Sequence, residues 1–236
     1  MSSSEQPENW RATILAGLAN YIDSGSIVAG SVALALWKDL YNLSDSFIGL
    51  IAAFSANAIS AGVGAFIGGW LCDKLGRKTI YQYDMLFYAF GMMFLIFASA
   101  AWMIIAGFVL VGLAVGADIP ASWSLIAEEA PDKARGRHSG VAQMLWNLGP
   151  VVVLGAAYFL QPFGIDGVRW LFIHLAVIAL ALTFLRAKMR ESHRWEEKQA
   201  ALGAKAGSIN WRELFSPQYI RAMMFLVGMY GFWNLW

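Results

Sequence analysis

Charged positions in this chain fall in short runs separated by long uncharged stretches. Between Arg11 and Lys38 the only charge is Asp23, from Ser46 to Cys72 there is none, and from Met85 to Ala117 there is again none. About 20 mostly apolar residues suffice for a helix to cross the hydrocarbon core of a bilayer. The first two stretches therefore predict one span each. The third is too long for one span and predicts two, with a tight turn near Ser99-Ala100-Ala101-Trp102. A fifth span is expected over Ser139 to Ile165, broken near Gln161-Pro162-Phe163-Gly164, and a sixth from about Val168 to Leu185. A seventh begins near Pro217 and is cut short at Trp236. The apolar residues surround each segment instead of forming the stripe of an amphipathic helix in a soluble bundle.

Composition agrees with the pattern. Hydrophobic residues make up 58% of the 236 and charged ones only 14%, with a mean hydropathy of +0.54. A soluble domain carries about a quarter charged residues, so most of this surface is not built for water, and the bilayer is the expected partner. A net charge of +1 leaves no basic footprint for nucleic acid. The single cysteine, Cys72, excludes an intrachain disulfide and reads as a small packing residue.

Lysine and arginine set the expected orientation. One side receives Arg11, then Lys74, Arg77 and Lys78, then Lys133, Arg135 and Arg137, and finally a run that starts at Arg186 and Lys188. The other side receives only Lys38 and Arg169. This asymmetry predicts a multi-pass protein of the cell membrane, an inner membrane in a double-membraned cell, with a cytoplasmic amino terminus. The expected organisation is a tail over 1–11, a six-span bundle over 12–188, a cytoplasmic linker with a surface helix over 189–216, and a truncated seventh span over 217–236.

The most informative segment is Gly69-Trp70-Leu71-Cys72-Asp73-Lys74-Leu75-Gly76-Arg77-Lys78. It resembles the G-x-L-x-D-x-x-G-R-[RK] loop between the second and third spans of the major facilitator superfamily. Further likenesses follow in order. Gly107 to Asp118 resembles the fourth-span glycine-rich stretch of the sugar-porter branch, and Glu128-Glu129-Ala130-Pro131-Asp132-Lys133-Ala134-Arg135-Gly136 resembles its E-x-x-P-x-x-x-R-G loop. Arg190-Glu191-Ser192-His193-Arg194-Trp195 is similar to the sequence after its sixth span, without the prolines. The resemblance implies an all-α membrane fold: a six-helix bundle of two inverted three-helix repeats. It also implies the amino-terminal half of a secondary active transporter, proton-coupled and working by alternating access on a sugar, polyol or organic acid. A missing carboxy-terminal bundle or a second copy is then a required partner. The alternative is a half-transporter with an assembly or regulatory role and no transport of its own.

Candidate functional residues follow. In the loop motif, Gly69, Asp73, Gly76, Arg77 and Lys78 form a gate by family analogy, with Glu128 and Arg135 across from them. Arg77 has Glu128, Glu129 and Asp132 as possible carboxylate partners. Gly64 with Gly68, and Gly112 with Gly116, are small faces four apart that let helix backbones approach. Asp23 and Asp118 lie inside spans and are the proton-coupling candidates, since an intramembrane acid is a functional hypothesis by default. Asp23 is about 18 Å along its helix from Arg11, near the midplane. A buried carboxyl favours its neutral form, which suits proton exchange. Tyr21-Ile22-Asp23 resembles the first-span coupling acid of sugar porters, but the family's fourth-span arginine falls on Phe108. Asp84, a few residues into the third span, reads as a hydrogen-bonding residue at the cytoplasmic end. Gln143 lies where the R-G-x6-Q pattern places a substrate-binding glutamine, with Trp146 and Asn147 beside it and Asn57 in the second span. Amides bond hydroxyls, and an indole face stacks on a sugar ring. There is no metal-spaced His/Cys set, no G-x-S-x-G and no P-loop, so no enzyme, metal or cofactor is expected.

Overall fold

The computed structural model describes residues 10–54, 59–131, 133–187 and 216–235, with isolated helical positions at 197, 200 and 201. Every regular element among them is helical. The helices are α1 (Trp10–Leu40), α2 (Asp45–Ala53), α3 (Ile59–Leu75), α4 (Arg77–Ile96), α5 (Ala101–Glu129), α6 (Arg135–Leu160), α7 (Gly164–Ala187) and α8 (Pro217–Leu235). The expected second span is carried by α2 and α3 together, and Asn57 lies between them, outside the described residues.

Local chemistry sets the breaks. Ser44 accepts a hydrogen bond from the Phe47 N–H and caps α2. Gly76 has φ 95°, a conformation that costs glycine nothing, and this single residue separates α3 from α4. The hairpin between α4 and α5 turns over Phe97 to Ala100, where the sequence predicts it. After α6 a 3-10 turn over Gln161–Phe163 ends at Gly164, with φ 55°. The next helix starts there, four residues before the predicted Val168, because one such turn already reverses the chain.

The chain divides into two compact units, Met1–Glu197 and Lys198–Trp236, the second containing α8. In the first unit α1 packs on α6, α7 and α5, α3 on α5, and α4 on α5 and α7. The α3–α5 crossing is built on the small residues. A Cβ added at Gly64 would strike the Leu113 carbonyl, one at Gly68 would strike Ala117, and one at Gly116 would strike the Ala61 carbonyl. Without a hydrophobic drive between helices in lipid, such close approach supplies the packing energy. The core is apolar and aromatic. Trp37 stacks on Phe172 and meets Phe108 edge-on. Large side chains such as Phe66, Phe97, Tyr158, Phe159 and Phe184 are more than half exposed on the outside, an arrangement suited to lipid and not to water.

Candidate functional site

Arg186 stands in the last turn of α7, and its side chain is completely buried. Sequence reasoning counts it with the loop cations; the structure draws it into the bundle instead, where buried carboxyls offer it partners. Its Nη1 donates to the Tyr81 carbonyl at 2.8 Å, to Asp118 Oδ1 at 2.9 Å and to Asp84 Oδ1 at 3.2 Å. Its Nη2 reaches the Leu15 carbonyl at 3.4 Å, and the guanidinium lies 3.3 Å from the centre of the Tyr81 ring. Ser122 Oγ donates to Asp118 Oδ2 at 2.6 Å. One side chain thus ties α1, α4 and α5 to α7. Asp84 does make the hydrogen bond expected of it, but as a buried member of an ion cluster.

Asp23 faces the same interior. It is fully buried, both its oxygens lack a hydrogen-bond partner, and the charges of Asp118 and Arg186 act on it. Asn20, one turn earlier, is equally buried, with both amide atoms unpartnered. The backbone around Asp23 is fixed: Tyr88 Oη donates to the Ile22 carbonyl at 3.0 Å and Ser26 Oγ to the Asp23 carbonyl at 2.7 Å. Phe108, at the family's arginine position, belongs to the aromatic core beside Trp37, where a Cβ at Gly30 would meet its ring at 2.6 Å. No cation could replace it there without losing that packing. The cation near the in-span acids comes from α7.

The other flank of α1 leads to the amide residues. Ser24 Oγ donates to the Trp146 carbonyl at 2.6 Å, and a Cβ at Gly149 would run into the Tyr21 carbonyl and Ser24. α1 and α6 therefore touch along their backbones. Trp146 is half-buried, whereas Gln143 and Asn147 are exposed one turn apart on α6, with Asn147 Nδ2 donating to the Gln143 carbonyl at 3.1 Å. Exposed amides are costly against lipid, so this stripe requires a watery cavity or a partner. His174 makes a 3.0 Å hydrogen bond with Tyr21 Oη, a further link from α1 to α7.

In the loop motif, Gly69, Asp73 and Lys78 are half-buried and Gly76 is buried. Arg135, half-buried, starts α6. The side chains of Arg77, Glu128 and Glu129, and Asp132 altogether, lie outside the described residues. Sequence reasoning did not foresee the Arg186 cluster. Its one sequence signal is charge balance: Asp23, Asp84 and Asp118 in spans call for an internal cation, and Arg186 closes the sixth span.

The family model for the Major Facilitator Superfamily matches residues 12–236. The minor myo-inositol transporter IolF of Bacillus subtilis is 48% identical over 231 residues, covering 95% of this chain and 53% of that protein. The inner membrane metabolite transport protein YgcS of Escherichia coli is 31% identical over 165 residues, 68% of this chain and 37% of its own length. Among solved structures, the inward-open xylose transporter XylE from E. coli superposes with a TM-score of 0.71 at 20% identity, over 91% of this chain and 56% of that one. The chain spans about half the length, or less, of these relatives.

Proposed function

This chain belongs to the Major Facilitator Superfamily, and from that membership we propose that it forms one bundle of a secondary active carrier for a small polyol or sugar, driven by protons through alternating access. It is an all-α, multi-pass membrane protein with the six-helix bundle of that superfamily and a further helix, α8, and it is not an enzyme. The observation that carries the proposal is the position of α1. One flank holds the buried carboxyl of Asp23, and the other crosses the helix that bears Gln143, Trp146 and Asn147. A helix that touches both can make occupancy of one felt at the other.

In this reading Gln143 and Asn147 bond substrate hydroxyls and Trp146 supplies an apolar ring face. The relative's myo-inositol, a ring bearing only hydroxyls, fits a site of neutral amides and has no charge to call for a counter-ion. Asp23 carries the coupling proton, and Asp118 holds the cation beside it. Asp73 and Arg77, with Glu128 and Arg135, form the cytoplasmic gate that the family motif implies. A single six-helix bundle lines one wall of a pathway, so the working carrier includes a second bundle, from the same polypeptide or from a second copy.

Gln143→Ala is the test. It should weaken myo-inositol binding by about 1–3 kcal/mol, the cost of a buried substrate hydroxyl left unpaired, with unchanged thermal stability because the amide side chain is exposed. Lost stability at unchanged affinity would make Gln143 a packing residue.

The Lys/Arg asymmetry puts the amino terminus in the cytoplasm. Ser44, Gln161 and Lys133 are all exposed, whereas the native Cys72 is buried and stays silent. Ser44→Cys and Gln161→Cys should react with an impermeant thiol reagent on intact cells, and Lys133→Cys only after permeabilisation. The reverse pattern inverts the orientation.

A further inference from the structure

Arg186 is short of hydrogens where its acceptors are and rich in them where they are not. Nη1 has two N–H bonds and three oxygens within 3.2 Å, while Nε is buried with no acceptor. Asp84 is the longest of the three contacts, and its second oxygen has no partner. Asp118 is the best served carboxylate, with the guanidinium on one oxygen and the Ser122 hydroxyl on the other. Asp23 has no hydrogen bond from its carboxyl at all. The groups that bear on this set are Asp23 on α1, Tyr81, Asp84 and Tyr88 on α4, Asp118 on α5 and Arg186 on α7. All of them are buried.

Three carboxylates against one guanidinium would leave two uncompensated negative charges in a low-dielectric interior, which is prohibitively costly. Neutrality takes two protons.

We propose that Arg186 fixes the proton count of this cluster, cancelling Asp118 so that Asp23 and Asp84 carry two exchangeable protons. It is a positioning residue that acts through the carboxyls, and its role deepens the proton-coupling assigned above and rests on that reading. The geometry also gives the consequence of release. When Asp23 loses its proton, it becomes a third claimant on a guanidinium with idle donors. Arg186 already reaches α1 through the Leu15 carbonyl. Its load then moves from α4 and α5 toward α1, the helix that crosses the substrate-facing α6. Substrate-linked movement of α1 and proton exchange become one event.

The count can be read by infrared spectroscopy, through the carbonyl stretch of protonated carboxyls in purified protein at neutral pH, as differences between variants. Wild type should show two buried protonated carboxyls and Arg186→Lys the same. Arg186→Gln should show three, since no guanidinium remains to offset one carboxylate of the cluster. Each of Asp23→Asn, Asp84→Asn and Asp118→Asn should show one. Should Arg186→Gln fail to fold, the same comparison is made on a neutralised background: Arg186→Gln with Asp118→Asn should show two where Asp118→Asn alone shows one. A wild-type protein with no such band, or a count that ignores Arg186 in both comparisons, overturns the proposal. The transport reading fails separately, if a full-length carrier with the wild-type cluster neither takes up nor exchanges labelled myo-inositol while the infrared count stands.

Discussion

Asp23→Asn, in a full-length carrier that contains this chain, is expected to abolish uptake driven by a pH gradient while leaving exchange of substrate across the membrane intact. Exchange returns a loaded carrier with its proton still in place and needs no net proton movement; gradient-driven uptake needs the proton to leave. Asparagine has nearly the shape of a neutral aspartic acid, and the Asp23 carboxyl makes no hydrogen bond that the change would remove. The backbone bonds that hold this turn, from Tyr88 and Ser26, do not involve the carboxyl. Folding should therefore survive, and the loss should be confined to coupling. Reconstitution in liposomes separates the two modes. Robust accumulation by Asp23→Asn under a pH gradient would remove this residue from the mechanism. The 236-residue chain reconstituted alone separates the two sources of the second bundle: silence in both modes points to the same polypeptide, and transport means that the chain pairs with itself into a working carrier.

How much of this was legible in the sequence depends on what kind of interaction made each feature. The spans were legible because the absence of charge over about 20 residues is a property of each segment alone. The hairpin, expected at Ser99 to Trp102 and found over Phe97 to Ala100, and the break at Gln161 to Gly164 follow from local turn chemistry. The glycine faces were legible for a similar reason: Gly64, Gly68 and Gly116 have a fixed spacing on their own helices, and only the partner was unknown. Arg186 was not legible, since its meaning depends on residues 68 and 102 positions away. Counted along the chain, it joins the cations after the sixth span. Folded, it is the sole arginine or lysine among the described, fully buried side chains. Phe108 misled in the complementary way. Its position suggests in-span acids without a cation, although Arg186 reaches Asp84 and Asp118 from another helix. Gln143 is legible as a candidate from its motif and Asn147 as its neighbour one turn on, and both are exposed.

The second large effect is expected from a single methyl-bearing side chain at the α3–α5 crossing. Gly116→Val should destabilise the bundle by about 1–3 kcal/mol or more, the range for overpacking a tight interior. A Cβ there would collide with the Ala61 carbonyl and come within 2.8 Å of the Ala65 nitrogen, which are backbone atoms and cannot rotate away. The helices must separate, and separation forfeits the contacts at Gly64 and Gly68 on the same face. Gly62→Val supplies the control. It lies one residue from Ala61 on the same helix, but a Cβ there meets nothing within 4 Å, and valine in place of glycine is tolerated by helix propensity. Thermal unfolding in detergent should fall for Gly116→Val and hold for Gly62→Val. The consequence reaches beyond stability, because α5 also carries Asp118 and Ser122, two residues and six residues after Gly116. Pushing α5 away from α3 shifts Asp118 against Arg186, so whatever Gly116→Val protein folds should also lose gradient-driven uptake. Equal stability for the two valine variants would mean that α3 and α5 are not held by backbone contact, and the small residues at their crossing would need another explanation.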